Sequence, residues 1–243
     1  MKRIKLIAPV AFGMIVLLGA CKKEDVNTNS TSIPLQTTVQ AVVPLAGVTN
    51  LAVLAGASIT NTGATTITGD IGLSPGTSIG GFPPGIINGT IHINDAIANQ
   101  AKLDLTIAYN DAAGRTATDM LIVSGNLGGL TLTPGLYKST SSLSLSSGNL
   151  TFDAKGNADA VFILQIASSL TVTSGREVIL AGGAKASNIF WQVGSSATIG
   201  TTTIFKGNIM AMQSITFNTG ATLDGRAMAR EGNVTMDANT IVK

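Results

Sequence analysis

The chain has 243 residues, of which 12% are charged, 4% are aromatic and 28 are glycine, and its formal net charge is +2. Its hydrophobicity excludes intrinsic disorder, the composition excludes a helical bundle, and scattered basic residues without interleaved aromatics exclude nucleic acid as a partner. A single cysteine, Cys21, excludes an intrachain disulfide framework and a Cys-based zinc site. What remains is a mainly β chain of many short strands joined by tight, glycine-rich corners.

Residues 1–20 read as a signal peptide. Lys2, Arg3 and Lys5 precede an apolar run, Leu6 to Leu18, that is too short to span a bilayer comfortably. The run ends in Leu18-Gly19-Ala20-Cys21, which resembles the lipobox of bacterial lipoproteins. That resemblance implies a lipidated Cys21 and a membrane anchor; an ordinary secretory signal is the alternative. Lys22-Lys23-Glu24-Asp25 is similar to the export signal of surface-exposed bacterial lipoproteins, which implies an outer-membrane, cell-surface location, with secretion as the alternative. The polar, threonine-rich residues 21–45 read as a flexible tether, with the folded domain beginning near Ala46 and running to residue 243.

Asn50 to Pro75 alternates small, apolar and threonine residues and reads as a first coil. Residues 76–93 are irregular around Pro83-Pro84 and read as a cap or crossover. Residues 95–113 form the one convincing helix, with Ile97, Ala101, Leu105, Ala108 and Ala112 in an apolar stripe, Asn94 or Asp95 as the cap and Gly114 at the end. Val161 to Ile166 is apolar on both faces, as a strand covered on both sides should be. From residue 187 the corners Ile199-Gly200-Thr201-Thr202, Thr219-Gly220-Ala221-Thr222 and Asp237-Ala238-Asn239-Thr240 recur at intervals of roughly 18 to 20 residues. Repetition at that period implies a β-solenoid. Thr62-Gly63-Ala64-Thr65 repeats the corner near the other end of the chain, so the N-terminal coil is expected to stack beside the C-terminal ones. The middle corners, Ser147-Gly148-Asn149 and Ser174-Gly175-Arg176, are poorer copies, and the threonine face is expected to be irregular.

The segments 58–85, 108–115, 132–139, 190–200 and 225–241, in that order, resemble the large β-solenoid ice-binding (antifreeze) proteins of cold-adapted bacteria, fungi and algae. The resemblance implies an irregular right-handed β-solenoid of triangular cross-section with one long α-helix packed alongside. It also implies a site built on a motif of Thr, then Ala or Gly, any residue, and Thr or Asn. Thr62, Gly63, Ala64 and Thr65 fit that motif, as do Thr219, Gly220, Ala221 and Thr222. Asp237, Ala238, Asn239 and Thr240 fit it except at Asp237. The partner implied is the surface of an ice crystal, met by a monomer without cofactor or metal, which inhibits ice growth and recrystallisation.

Threonine suits such a partner, because it places a methyl and a hydroxyl on a stiff side chain. A polysaccharide-cleaving enzyme would need clustered carboxylates; the acids here are dispersed, and the single histidine, His92, reads as structural. The chain is therefore expected not to be an enzyme. The other reading is a cell-surface adhesin or structural envelope lipoprotein without ice affinity, which would display exposed aromatics or a charged pocket; Trp191 reads instead as core.

Overall fold

Short apolar triplets separated by glycine- and serine-rich corners become short strands, and nearly every strand pairs in parallel with the equivalent triplet one circuit later. The computed structural model of the chain describes residues 33–243; the expected signal peptide, Cys21 and the first part of the expected tether lie outside the described residues. Each circuit contributes one strand to each of three walls. Wall A carries Leu121–Ile122, Gly135–Ser139, Phe162–Ile166, Ile189–Val193, Leu51–Ala55, Asp70–Leu73 and Ile91–Ile93. Wall B is an eight-stranded sheet in the order Ser78–Gly80, Ser58–Asn61, Val234–Met236, Ile215–Phe217, Ala197–Ile199, Leu170–Val172, Leu143–Leu145, Gly125–Asn126. Wall C includes Thr131–Leu132, Leu150–Asp153, Val178–Ala181, Thr240–Val242, Thr66–Thr68 and Ile86–Asn88.

Two eight-residue strands, Ile204–Ala211 and Thr222–Ala229, serve walls C and A in turn, because their two halves pair with different neighbours. The change of wall falls at Gly207 and Gly225, with φ of +111° and +141°. At Gly225 a Cβ would lie 2.1 Å from the Gly207 carbonyl oxygen, so both the backbone angle and the close approach demand glycine.

The stack does not follow the chain order. The C-terminal circuit pairs with the N-terminal one on all three walls, through Val53↔Ala227, Ile59↔Val234 and Thr66↔Thr240. The expected adjacency of the first and last coils is what the register contains. The segment expected to be irregular, 76–93, supplies three short strands and so completes a further circuit, with Phe82 packed against the core. Circuits are uneven: wall A partners lie 27 residues apart from Gly135 to Phe162 but 18 apart from Phe190 to Asn208. The extra residues sit in the corners, which leaves the walls in register.

Inward side chains of all three walls form one core, in which Phe152 meets Phe162 and Trp191 edge to face and Trp191 packs at a tilt on Phe205. Trp191 is 1% exposed and donates from Nε1 to the Lys206 carbonyl at 3.0 Å, so it is core, as expected. Helix α1 (Ala96–Gly114) lies over wall A and makes its central strands Leu51–Ala55, Phe162–Ile166 and Ile189–Val193 buried on both faces. Asp95 caps it by accepting from the Ala98 N–H at 2.8 Å, and His92 Nδ1 pairs with the other carboxylate oxygen at 2.7 Å, a structural role. The buried stripe runs Ala98, Ala101, Leu105, Ala108, Tyr109 and Ala112. Ile97, placed in the stripe by its spacing, is 52% exposed; Ala98 takes that place because the small side chain lets the first turn approach the wall. Lys102 ties the helix to wall A by donating to the Ala229 and Arg230 carbonyls, and burial pulls its pKa down to about 8.

Residues 33–45 are not a free tether, and the fold starts well before Ala46. Ile33 packs on the main core, and Val43 and Leu45 are buried beneath the helix. Gln36 Oε1 accepts from the Leu136 N–H at 2.8 Å. The Asp119 carboxylate accepts from the Thr37 N–H, Thr38 N–H and Thr37 hydroxyl, which holds it well below the usual carboxylate range. Arg115 donates to the Ala41 and Val42 carbonyls. The polar composition of the strap concealed these few buried side chains. A chain beginning at Ala46 should lose about 3–5 kcal/mol of apolar burial relative to one beginning at Ile33. Thermal unfolding should show this as a melting point lower by roughly 10 °C; equal melting points would mean that the strap contributes nothing.

Candidate functional site

Wall A is covered by the helix and strap, and wall C exposes a mixture of charge and hydrocarbon, including Lys206, Asp224, Ile204 and Ile86. Wall B is open. On the six strands between its two edge strands, one residue points outward between two buried ones. Those outward residues are Thr60, Thr235, Thr216, Thr198 and Thr171, each directly paired with the next, continued by Ser144 and Asn126. Five successive circuits therefore set one threonine each in a straight ladder, with steps of about 4.8 Å across the strands.

Two further rows flank the ladder at a spacing of roughly 7 Å along the strands. The row before it runs Ser58, Asn233, Ser214, Ser196, Ser169, Ser142, joined by bonds such as Ser58 Oγ to Asn233 Oδ1 at 3.0 Å and Ser142 Oγ to Ser169 Oγ at 2.9 Å. The row after it runs Thr62, Asp237, Asn218, Gly200, Thr173, Ser146. Thr60 Oγ1 donates to Thr235 Oγ1 at 3.3 Å. Among the described residues, the hydroxyls of Thr171, Thr198 and Thr216 have no protein partner and are left to water. Beneath the grid lie Ile59, Val234, Met236, Ile215, Phe217 and Ile199, all buried, so the outward side chains stand on a packed floor.

The sequence-predicted residues fall in four different places. Thr62 and Asp237 belong to wall B, and Ala64, Thr219 and Ala238 lie on the crest of the B–C corner with the backbone of Gly63 and Gly220. Thr222 and Thr240 are on wall C, in register with Thr66. Thr65, Ala221 and Asn239 are inside, 0%, 0% and 1% exposed. The expectation that every residue of the motif belongs to the surface that meets the partner is corrected for these three, which are buried. Thr65 Oγ1 donates to Asn61 Oδ1 at 2.5 Å and accepts from the Asn239 N–H at 3.0 Å; Asn239 Nδ2 donates to the Asn218 and Ala221 carbonyls at 2.9 and 3.0 Å. They are brackets that satisfy the corner's backbone. The two Thr-Gly-Ala-Thr strings are also out of frame: Thr65 aligns with Ala221, and Thr66 with Thr222.

The irregular threonine face expected from the corners is instead a regular ladder in mid-strand. Its signal was present as the triplets Ile59-Thr60-Asn61, Leu170-Thr171-Val172, Ala197-Thr198-Ile199, Ile215-Thr216-Phe217 and Val234-Thr235-Met236, each an alternation with threonine at the outward position. Among the described residues no three His, Cys, Asp or Glu side chains stand close enough to hold a metal.

Parallel walls with one open lattice of hydroxyls, broken by a single carboxylate at Asp237, define a protein built to meet an extended surface rather than to enclose a ligand. The chain belongs to the ice-binding-like family, whose model matches residues 53–242. The ice-binding protein of Nostoc sp. (strain HG1) is 48% identical over 193 residues, 79% of this chain and 71% of that one. That of Flavobacterium frigoris (strain PS1) is 38% identical over 213 residues, 82% and 76% of the two chains, so the likeness spans the whole wall system. An ice binding protein from an Antarctic Biological Consortium, solved by crystallography, superposes with a TM-score of 0.87 at 71% identity, covering 87% of this chain and 96% of its own. The mainly β architecture of parallel sheets with one helix is thus that of known ice-binding proteins.

Thr65→Val separates bracket from binding face. It should cost about 1–3 kcal/mol by leaving Asn61 Oδ1 and the Asn239 N–H unpaired, read by urea unfolding, while any surface activity per folded molecule stays at the parent level. A large loss of that activity with unchanged stability would return Thr65 to the site.

Proposed function

We propose that this chain binds ice through wall B and its corner towards wall C, and so inhibits ice growth and recrystallisation. The observation that carries the reading is the in-register ladder Thr60, Thr235, Thr216, Thr198 and Thr171 on the one wall that is neither covered nor strongly charged. Ice offers a repeating array of donors and acceptors and nothing to enclose. Threonine methyls order a layer of water while the hydroxyls and corner backbone anchor it, and a rigid ladder spaced at about 4.8 by 7 Å holds that layer in a lattice-like pattern. Once adsorbed, neighbouring molecules force the ice between them to grow as curved fronts, which lowers the local freezing point. Thr62 and Thr219 extend the face over the crest; Thr222 and Thr240 lie round the corner and contribute less. The circuits are read as a right-handed β-solenoid of triangular cross-section acting as a monomer.

The relatives are ice-binding proteins, which supports ice as the partner, and none of them favours an adhesin without ice affinity. Removal of residues 1–20 and lipidation of Cys21 would place the domain on the outer membrane facing outwards, where it would hold the cell against ice; release as a secreted protein is the alternative. No catalysis is needed by this reading. The test is thermal hysteresis and ice-recrystallisation inhibition of the folded chain beginning at Ile33. A hysteresis gap and arrested coarsening of fine-grained ice are expected; a folded chain that leaves both unchanged would overturn the proposal.

A further inference from the structure

A single ionisable side chain interrupts the grid of wall B. Among the described residues, its outward positions are serine, threonine, asparagine or glycine except at Asp237. The interruption has a geometric origin. Three residues separate the inward Met236 from Thr240 on wall C, whereas four separate Phe217 from Thr222 and Asn61 from Thr66. Thr222, Thr240 and Thr66 nevertheless stay in register, so the Asp237 corner closes the same gap with less chain.

Ala238 takes the left-handed conformation, at φ +51°, as Thr202 and Gly220 do at the equivalent place in the two full-length corners before it, so the residue lost is one from the wall B side of the turn. Asp237 turns with Ala238: its N–H donates to Asn239 Oδ1 at 2.7 Å and its carbonyl accepts from the Gly220 N–H at 3.1 Å. The carboxylate spans the notch that results. Oδ2 accepts from the Thr219 hydroxyl, and Oδ1 lies so close to Gly63 that a Cβ there would sit 2.9 Å away. It therefore stands between Thr219 on the crest and Thr62 at the edge of wall B, both of them exposed.

Two consequences follow for a face that works by ordering water. A carboxylate keeps a tight hydration shell of its own, which costs free energy to reorganise or remove. The Thr219 hydroxyl, committed to the carboxylate, is withdrawn from the water layer. We infer that Asp237 is a potency-limiting residue of the ice face: it braces a short corner and, by its charge, weakens the crest between Thr62 and Thr219. This rests on the ice-binding reading above.

Asp237→Asn tests it, because the amide oxygen still accepts from Thr219 while the charge is gone. At an unchanged melting temperature, thermal hysteresis at equal molarity should rise about twofold as the desolvation cost is removed. Asp237→Ala, which loses the brace as well, should melt lower. If the asparagine chain proves unstable, Asp237→Thr, which aligns a second hydroxyl with Thr62, gives the same reading. A parent without effect on ice overturns the ice-binding reading and this inference with it. Asn and Thr variants no more active than an active parent overturn this inference alone.

Discussion

Everything on wall B depends on the parallel backbone ladder. Because each strand pairs with its counterpart one circuit away without slipping, a threonine at the middle of one triplet stands beside the middle residue of the next, and a one-residue slip would turn it into the core. Three devices protect that register. The core floor of Ile59, Val234, Ile215 and Leu170 locks the inward positions, the buried corner brackets Thr65 and Asn239 satisfy the backbone where the chain changes wall, and glycines 207 and 225 allow the walls to meet at close quarters. The open threonine face is thus a by-product of the packing, which is why it can be regular with so few side-chain bonds of its own.

The covering of wall A follows from the same constraint. Winding the first two circuits onto the last requires the chain to travel back down the stack, and α1 does this along wall A, leaving Ala98, Ala101, Leu105 and Ala108 against the strands. Alanine lets the helix lie close. The strap of residues 33–45 then closes what the helix leaves open, held by Asp119, Arg115 and Gln36. With wall A sealed and wall C mixed in charge, the outer surface has one wall left for a uniform array. Asp237 shows the limit of that uniformity, where a corner one residue short had to be braced by charge.

Much of the architecture was legible in the sequence. The period near the C-terminus, the repeated corner at Thr62, the helix over 95–113 and the doubly apolar Val161 to Ile166 each follow from a local pattern with a direct physical meaning. The site was legible only in part. Corners attract attention because glycine and threonine are conspicuous there, but Thr65, Ala221 and Asn239 show that a corner residue is as easily turned inwards as out. The ladder itself hid in three-residue strands, too short for alternation to stand out one at a time; only the pairing register, a long-range property, aligns Thr60 with Thr235 across most of the chain length. The strap was missed because a few buried apolar residues in a polar segment leave no periodic signal.

The most direct test compares Thr216→Tyr on wall B with Thr222→Tyr on wall C, measuring thermal hysteresis of folded chains beginning at Ile33. If the wall B ladder is the ice face, Thr216→Tyr abolishes most of the activity and Thr222→Tyr leaves most of it. An equal loss in both, or a greater loss at Thr222, would contradict the account and move the face around the corner to wall C.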